Sequence, residues 1–145
     1  MDGVGSNSDI LFKQKEDEEK IRAQVERLKS KEQQVIAHEN AHKAVAGRYA
    51  GSMCYTYTRG PDGKIYITGG EVSIDVSEER TPEATIRKMQ VVKAAALAPA
   101  DPSPQDLNIA RVATMKEMKA RAEFAKELFY KNYKIQNNKA LDRHL

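Results

Sequence analysis

His38, Glu39 and His42 form an H-E-x-x-H arrangement inside a stretch whose apolar residues recur at helical spacing. Residues four apart on a helix lie one above the other on the same face, so both imidazoles can reach a single divalent cation. Zinc held by two histidines and one carboxylate keeps a fourth position for water and lowers the pKa of that water to roughly 7. Glu39, beside the first histidine, is then the general base that takes the water's proton. The chemistry implied is zinc-dependent hydrolysis of a peptide bond, with Zn2+ as cofactor and a peptide or protein as substrate.

A helix must position these groups. Ile21, Val25, Leu28, Val35, His42 and Tyr49, continued by Val45 and Ala46, follow the spacing of one inward-facing stripe and predict a helix from about Ile10 to Tyr49. Its front end, Lys13 to Lys20, is charged on nearly every face and is expected to be solvated, a surface open to a protein partner. Gly51 is the expected C-terminal cap. The period then changes. Met53–Thr58 and Lys64–Thr68 flank Gly60-Pro61-Asp62-Gly63, which reads as a β-hairpin, and Glu71–Val76 after Gly69-Gly70 reads as a third strand with Val72, Ile74 and Val76 on one face. Thr81-Pro82-Glu83 and Ser103-Pro104-Gln105-Asp106 each start a helix, the first running to about Leu97 and the second to about Tyr133. In the second, Leu107, Ala110, Val112, Ala113, Met118, Ala122, Ala125 and Leu128 form the apolar series; the methionines of the chain read as core filler.

The third zinc ligand is not supplied by the motif helix. Val45 and Arg48 stand where an extended H-E-x-x-H-x-x-G-x-x-H site would need glycine and histidine, and His144 lies in the tail. A carboxylate is therefore expected, with Glu71 the first choice because it follows two glycines that allow close backbone approach, and Asp75 the second. Those two are about 13 Å apart along an extended strand, too far to share one ion. Tyr55, Tyr57 and Tyr66 are the phenols available to stabilise an oxyanion, Tyr66 and Tyr57 being the catalytic candidates, with cross-strand packing as their other reading.

Composition bounds the alternatives. The chain has 145 residues with net charge +3 from interleaved acids and bases, which argues against a nucleic-acid partner. It has no apolar run of membrane-spanning length and no basic-then-apolar leader pattern, and its single Cys54 forms no internal disulfide, so a cytoplasmic setting without membrane association is expected. Residues 1–9 are expected to be disordered, 10–133 to form one domain, and 134–145 to be a loose tail.

Several ordered blocks carry a family likeness. His38-Glu39-Asn40-Ala41-His42-Lys43-Ala44, Tyr49-Ala50-Gly51, Gly60-Pro61-Asp62-Gly63-Lys64-Ile65-Tyr66, Gly69-Gly70-Glu71-Val72-Ser73-Ile74-Asp75, Pro82-Glu83-Ala84-Thr85 and the Ala94–Ser103 run together resemble the bacterial SprA-related family, over about His38 to Ala113. The resemblance implies a bacterial origin and a zincin-like site; the family's metalloprotease designation itself rests largely on the motif. The expected architecture is α+β: a long N-terminal helix carrying H-E-x-x-H, a small three-stranded antiparallel sheet, and two C-terminal helices. The expected function is zinc metallopeptidase; the alternative is a non-catalytic protein-interaction module with a structural or absent zinc.

Overall fold

A computed structural model describes residues 5–144, so residues 1–4 of the start expected to be loose, and Leu145, lie outside the described residues. In order come helix α1 (Asn7–Ala46), a 3₁₀ turn (Gly47–Tyr49), strands β1 (Ala50–Arg59) and β2 (Ile65–Ile74), and helices α2 (Pro82–Ala96) and α3 (Pro104–Asp142). The architecture is α+β as expected, but the sheet has two strands. Contacts gather the chain into two compact units, residues through Asn40 with Ser52–Val72, and Ala41–Gly51 with the residues from Ser73 onward.

In the first unit α1 starts earlier than its apolar pattern suggests. Ser6 caps it, with the Asp9 amide donating to Ser6 Oγ and the Ser6 amide donating to the Asp9 carboxylate, an exchange that satisfies two otherwise orphaned donors. Every described residue before Val25 is exposed, so the charged front end is solvated. Farther along, β2 lies lengthwise on α1 and runs in the same direction. Gly60 abuts Leu28, the Ile67 amide donates to Glu32 Oε2 at 2.7 Å, and Gly70 abuts Val35 and Glu39. Tyr66, Val72 and Val35 are buried in this region.

The expected third strand is not found among the described residues. Gly69 and Gly70, read as a break, are internal to β2, and neither has a positive φ, so the strand passes straight through them. One register serves the whole hairpin: the Gly60 amide donates to the Lys64 carbonyl, and the Asp75 amide donates to the Tyr49 carbonyl at the other end. The turn uses Gly63 at φ +80, a conformation that glycine adopts without penalty.

The second unit begins where α1 ends. The left-handed residue is Gly47, at φ +55, not Gly51; Gly51 stands in β1 with Ser73 filling the space that a Cβ would need. Thr81 Oγ1 accepts the Ala84 amide to start α2, and a full capping box of Ser103 and Asp106 starts α3. The core between them is Met89, Val92 and Ala113, with Ile74, Val76 and Ile109 packed against it. Met89 fills core as expected, whereas Met115, Met118, Leu107 and Leu128 are exposed. Helix α3 continues beyond Tyr133 to Asp142, its residues exposed from Ala125 on.

One buried cation ties the loop after β2 to α2. Lys88, only 2% exposed, donates to Asp75 Oδ2 at 2.8 Å and Ser77 Oγ at 3.0 Å, lies 3.4 Å from Glu79 Oε1, and stands over the Tyr49 ring at 5.1 Å. Lys88 foremost, then the Ser77 hydroxyl and amide, hold the Asp75 carboxyl well below the ordinary carboxylate range. Among the described residues no helix is long and apolar enough to cross a membrane.

Candidate metal centre

His42 is placed by the last turns of α1 against the end of α2. Ala46, Ala95 and Ala96 are buried and small, so the backbones approach closely enough for His42 Nδ1 to lie 2.8 Å from the Ala95 carbonyl oxygen. A carbonyl only accepts, so Nδ1 is the ring's N–H and donates to it. That carbonyl, in the helix's final turn, also accepts the Ala98 amide at 3.3 Å, so backbone and imidazole share it. Fixing Nδ1 as donor turns Nε2 toward the other side of the ring, and there Asp106 Oδ2 lies 3.2 Å from it. The contact is largely buried: the two side chains are 3% and 12% exposed.

In neutral histidine with Nδ1 protonated, Nε2 carries a lone pair. A lone pair facing a carboxylate oxygen at this distance is repulsive unless a cation, either a proton or a metal ion, lies with them. His38 precedes His42 by one turn of the same unbroken helix and is half-buried. One potential ligand atom from each of His38, His42 and Asp106 lies within 4.8 Å of the other two. Tetrahedral zinc with nitrogen and oxygen ligands at about 2.0–2.2 Å sets its donors roughly 3.3–3.6 Å apart, so modest side-chain rotation closes this set around an ion. The donor set, two imidazoles and a carboxylate, suits zinc, and the Ala95 carbonyl supplies the outer hydrogen bond that orients a metal-binding histidine.

The acid grouped with both histidines is Asp106, on the first turn of α3, a residue the sequence had not suggested for that place. Glu71 is exposed on β2 and stands outside the His38–His42–Asp106 group. Asp75 is occupied by Lys88. Asp106 was legible in the sequence only as the capping acid, and it does cap: Oδ2 accepts the Ser103 amide at 2.8 Å while facing His42.

Glu39 is buried, at 4% exposure, on the α1 face next to that of His38. The expected close approach at the glycine pair is real, and it serves Glu39. A Cβ on Gly70 would stand 2.8 Å from Glu39 Cγ, 3.1 Å from Tyr55 Cδ1 and 3.1 Å from Val35 Cγ1. Backbone without a side chain is what lets β2 close over the glutamate. Of the three hairpin phenols, Tyr55 is the one beside Glu39. Tyr57 is exposed at 61%. Tyr66 donates to Asp62 in the hairpin turn, a bond that pushes its phenol up to about 12 and commits its proton there.

A family model matches residues 7–141, that of the SprA-related family. No curated protein and no solved structure matches the chain.

Proposed function

Because the chain belongs to the SprA-related family and carries this histidine–aspartate cluster, we propose that it is a zinc-dependent peptide hydrolase whose ion is held by His38, His42 and Asp106. The observation that carries the reading is the orientation of His42: its Nδ1 proton is tied to Ala95, so Nε2 meets Asp106 in a largely buried site that favours a shared cation. Three protein donors leave a fourth position for water, the pattern of catalytic zinc sites as opposed to closed structural ones. Bound zinc supplies Lewis acidity and a water whose pKa is lowered to roughly 7.

The protein's own groups do the rest. Glu39, held under the backbone of Gly70, accepts the proton of the attacking water and delivers it to the departing amine. Asp106 contributes negative charge and is itself oriented by the Ser103 amide, so only a modest adjustment of its carboxylate is needed to serve as a ligand. His42 is held in orientation by Ala95.

Three variants test this. His42→Ala should lose bound zinc. Glu39→Gln should keep zinc, measured by metal analysis, and lose hydrolysis of a casein-type substrate. Asp106→Asn should weaken zinc binding by at least the roughly 10–100-fold seen when supporting groups of metal sites are changed. Its amide oxygen can still accept from Ser103, so α3 should start normally and the fold should persist. Equal zinc content in wild type and His42→Ala would remove the metal centre; zinc binding without cleavage in the wild type would instead favour the non-catalytic interaction module.

A further inference from the structure

The first unit contains a second site-like feature on the same helix. Gln24, Arg27, Leu28, Lys31 and Pro61 line an open groove of about 490 Å³ beside the hairpin tip. Leu28 and Pro61 give it apolar lining, and Arg27 and Lys31 add two cations. Among the described residues neither Arg27 nor Lys31 has a carboxylate within salt-bridge distance; the nearby Glu26 pairs with Lys29 and Glu32 holds the Ile67 amide.

Helix geometry relates this groove to His38. At 3.6 residues per turn, Lys31 and Arg27 point within about 20° of the direction of His38, and they lie about 10 Å and 16 Å before it along the axis. These distances correspond to roughly three and five residues of extended peptide. Strand β2 leads the same way, from the hairpin tip at Leu28 to Gly70 over Glu39.

Resting on the peptidase reading, we infer that the Arg27–Lys31 groove is a substrate subsite selecting peptides that bear acidic side chains three to five residues from the scissile bond. The paired cations fit carboxylates, the arginine as a planar fork and the lysine as a point charge, while Leu28 and Pro61 take the aliphatic stems. Opposing the peptide's charge with the groove's gives selectivity more than raw affinity.

The test uses the full chain carrying Glu39→Gln and two fluorescein-labelled decapeptides, identical except that one has glutamates where the other has glutamines. Fluorescence anisotropy should show the acidic peptide binding about two- to thirtyfold more tightly, as expected for two solvent-exposed ion pairs. Adding Arg27→Gln and Lys31→Gln should erase that preference and leave zinc content unchanged. Equal binding of the two peptides, no binding of either, or a preference that survives the double substitution would each overturn the subsite. Because binding is read on an inactive variant, the peptidase reading fails separately, through absence of cleavage by the wild type.

Discussion

Replacing Gly70 with alanine should disable Glu39 while sparing the metal centre. The added Cβ would stand 2.8 Å from Glu39 Cγ, whereas carbon atoms rest about 3.5–4.0 Å apart. The glutamate must therefore retreat by roughly 1 Å, and a displacement of that size in a reacting group can lower a rate by about 100-fold. Two effects oppose each other in stability. Overpacking costs about 1–3 kcal/mol, and loss of glycine's freedom in the unfolded chain returns about 0.4–1 kcal/mol, since Gly70 has no positive φ to forbid alanine. The net expectation is a fold weakened by about 1–2 kcal/mol, still assembled at room temperature. The assay combines kcat on a peptide substrate, zinc content and a thermal melt monitored by circular dichroism. Gly69→Ala is the control, because its Cβ would meet Thr56 at 3.3 Å and nothing of Glu39; it should cleave nearly as well as wild type. A folded, zinc-loaded Gly70→Ala protein that cleaves at the wild-type rate would refute the assignment of Glu39 as base.

Two further predictions concern the frame. Asp75→Asn removes the closest counter-charge of buried Lys88 but leaves Glu79, so destabilisation should be about 1–2 kcal/mol, discounted for the exposure of Asp75. Because the folded carboxyl lies far below its unfolded value, its contribution is complete above about pH 5 and is lost as pH falls through the folded value; the gap in Tm between wild type and variant should close on acidification from pH 6 to pH 2. Tyr66 should ionise near its raised value of about 12, with the stability it adds present below the ordinary phenol pKa of about 10 and lost as pH rises through the folded one; in Asp62→Asn, carbon-13 NMR of the ring should show the transition moving back toward 10.

The local signals in the sequence were strong where one element decides the outcome. The i, i+4 spacing of His38 and His42, the turn at Gly60–Gly63 and the starts at Thr81 and Ser103 all depend on near neighbours, and all appear in the structure. Asp106 joins a histidine 64 positions earlier, and its capping role already explained its presence, so nothing local marked it as a ligand. Gly69-Gly70 failed as a break because glycine tolerates extended backbone as readily as a turn, and only the neighbouring Glu39 shows why side chains are excluded there. The end of α3 was missed for the opposite reason. Lys, Gln, Ala and Leu after Tyr133 have good helical preference although they bury little, and propensity carries the helix on to Asp142.

The double engagement of Asp106 Oδ2 joins two structural fates. One oxygen anchors the amide that opens a 39-residue helix and also confronts His42. Whatever cation settles between imidazole and carboxylate draws on the same electron density that secures that opening turn. An ion held at the proposed centre would then alter how firmly α3 is fastened at its root, giving a remote, solvent-swept helix a mechanical stake in its binding.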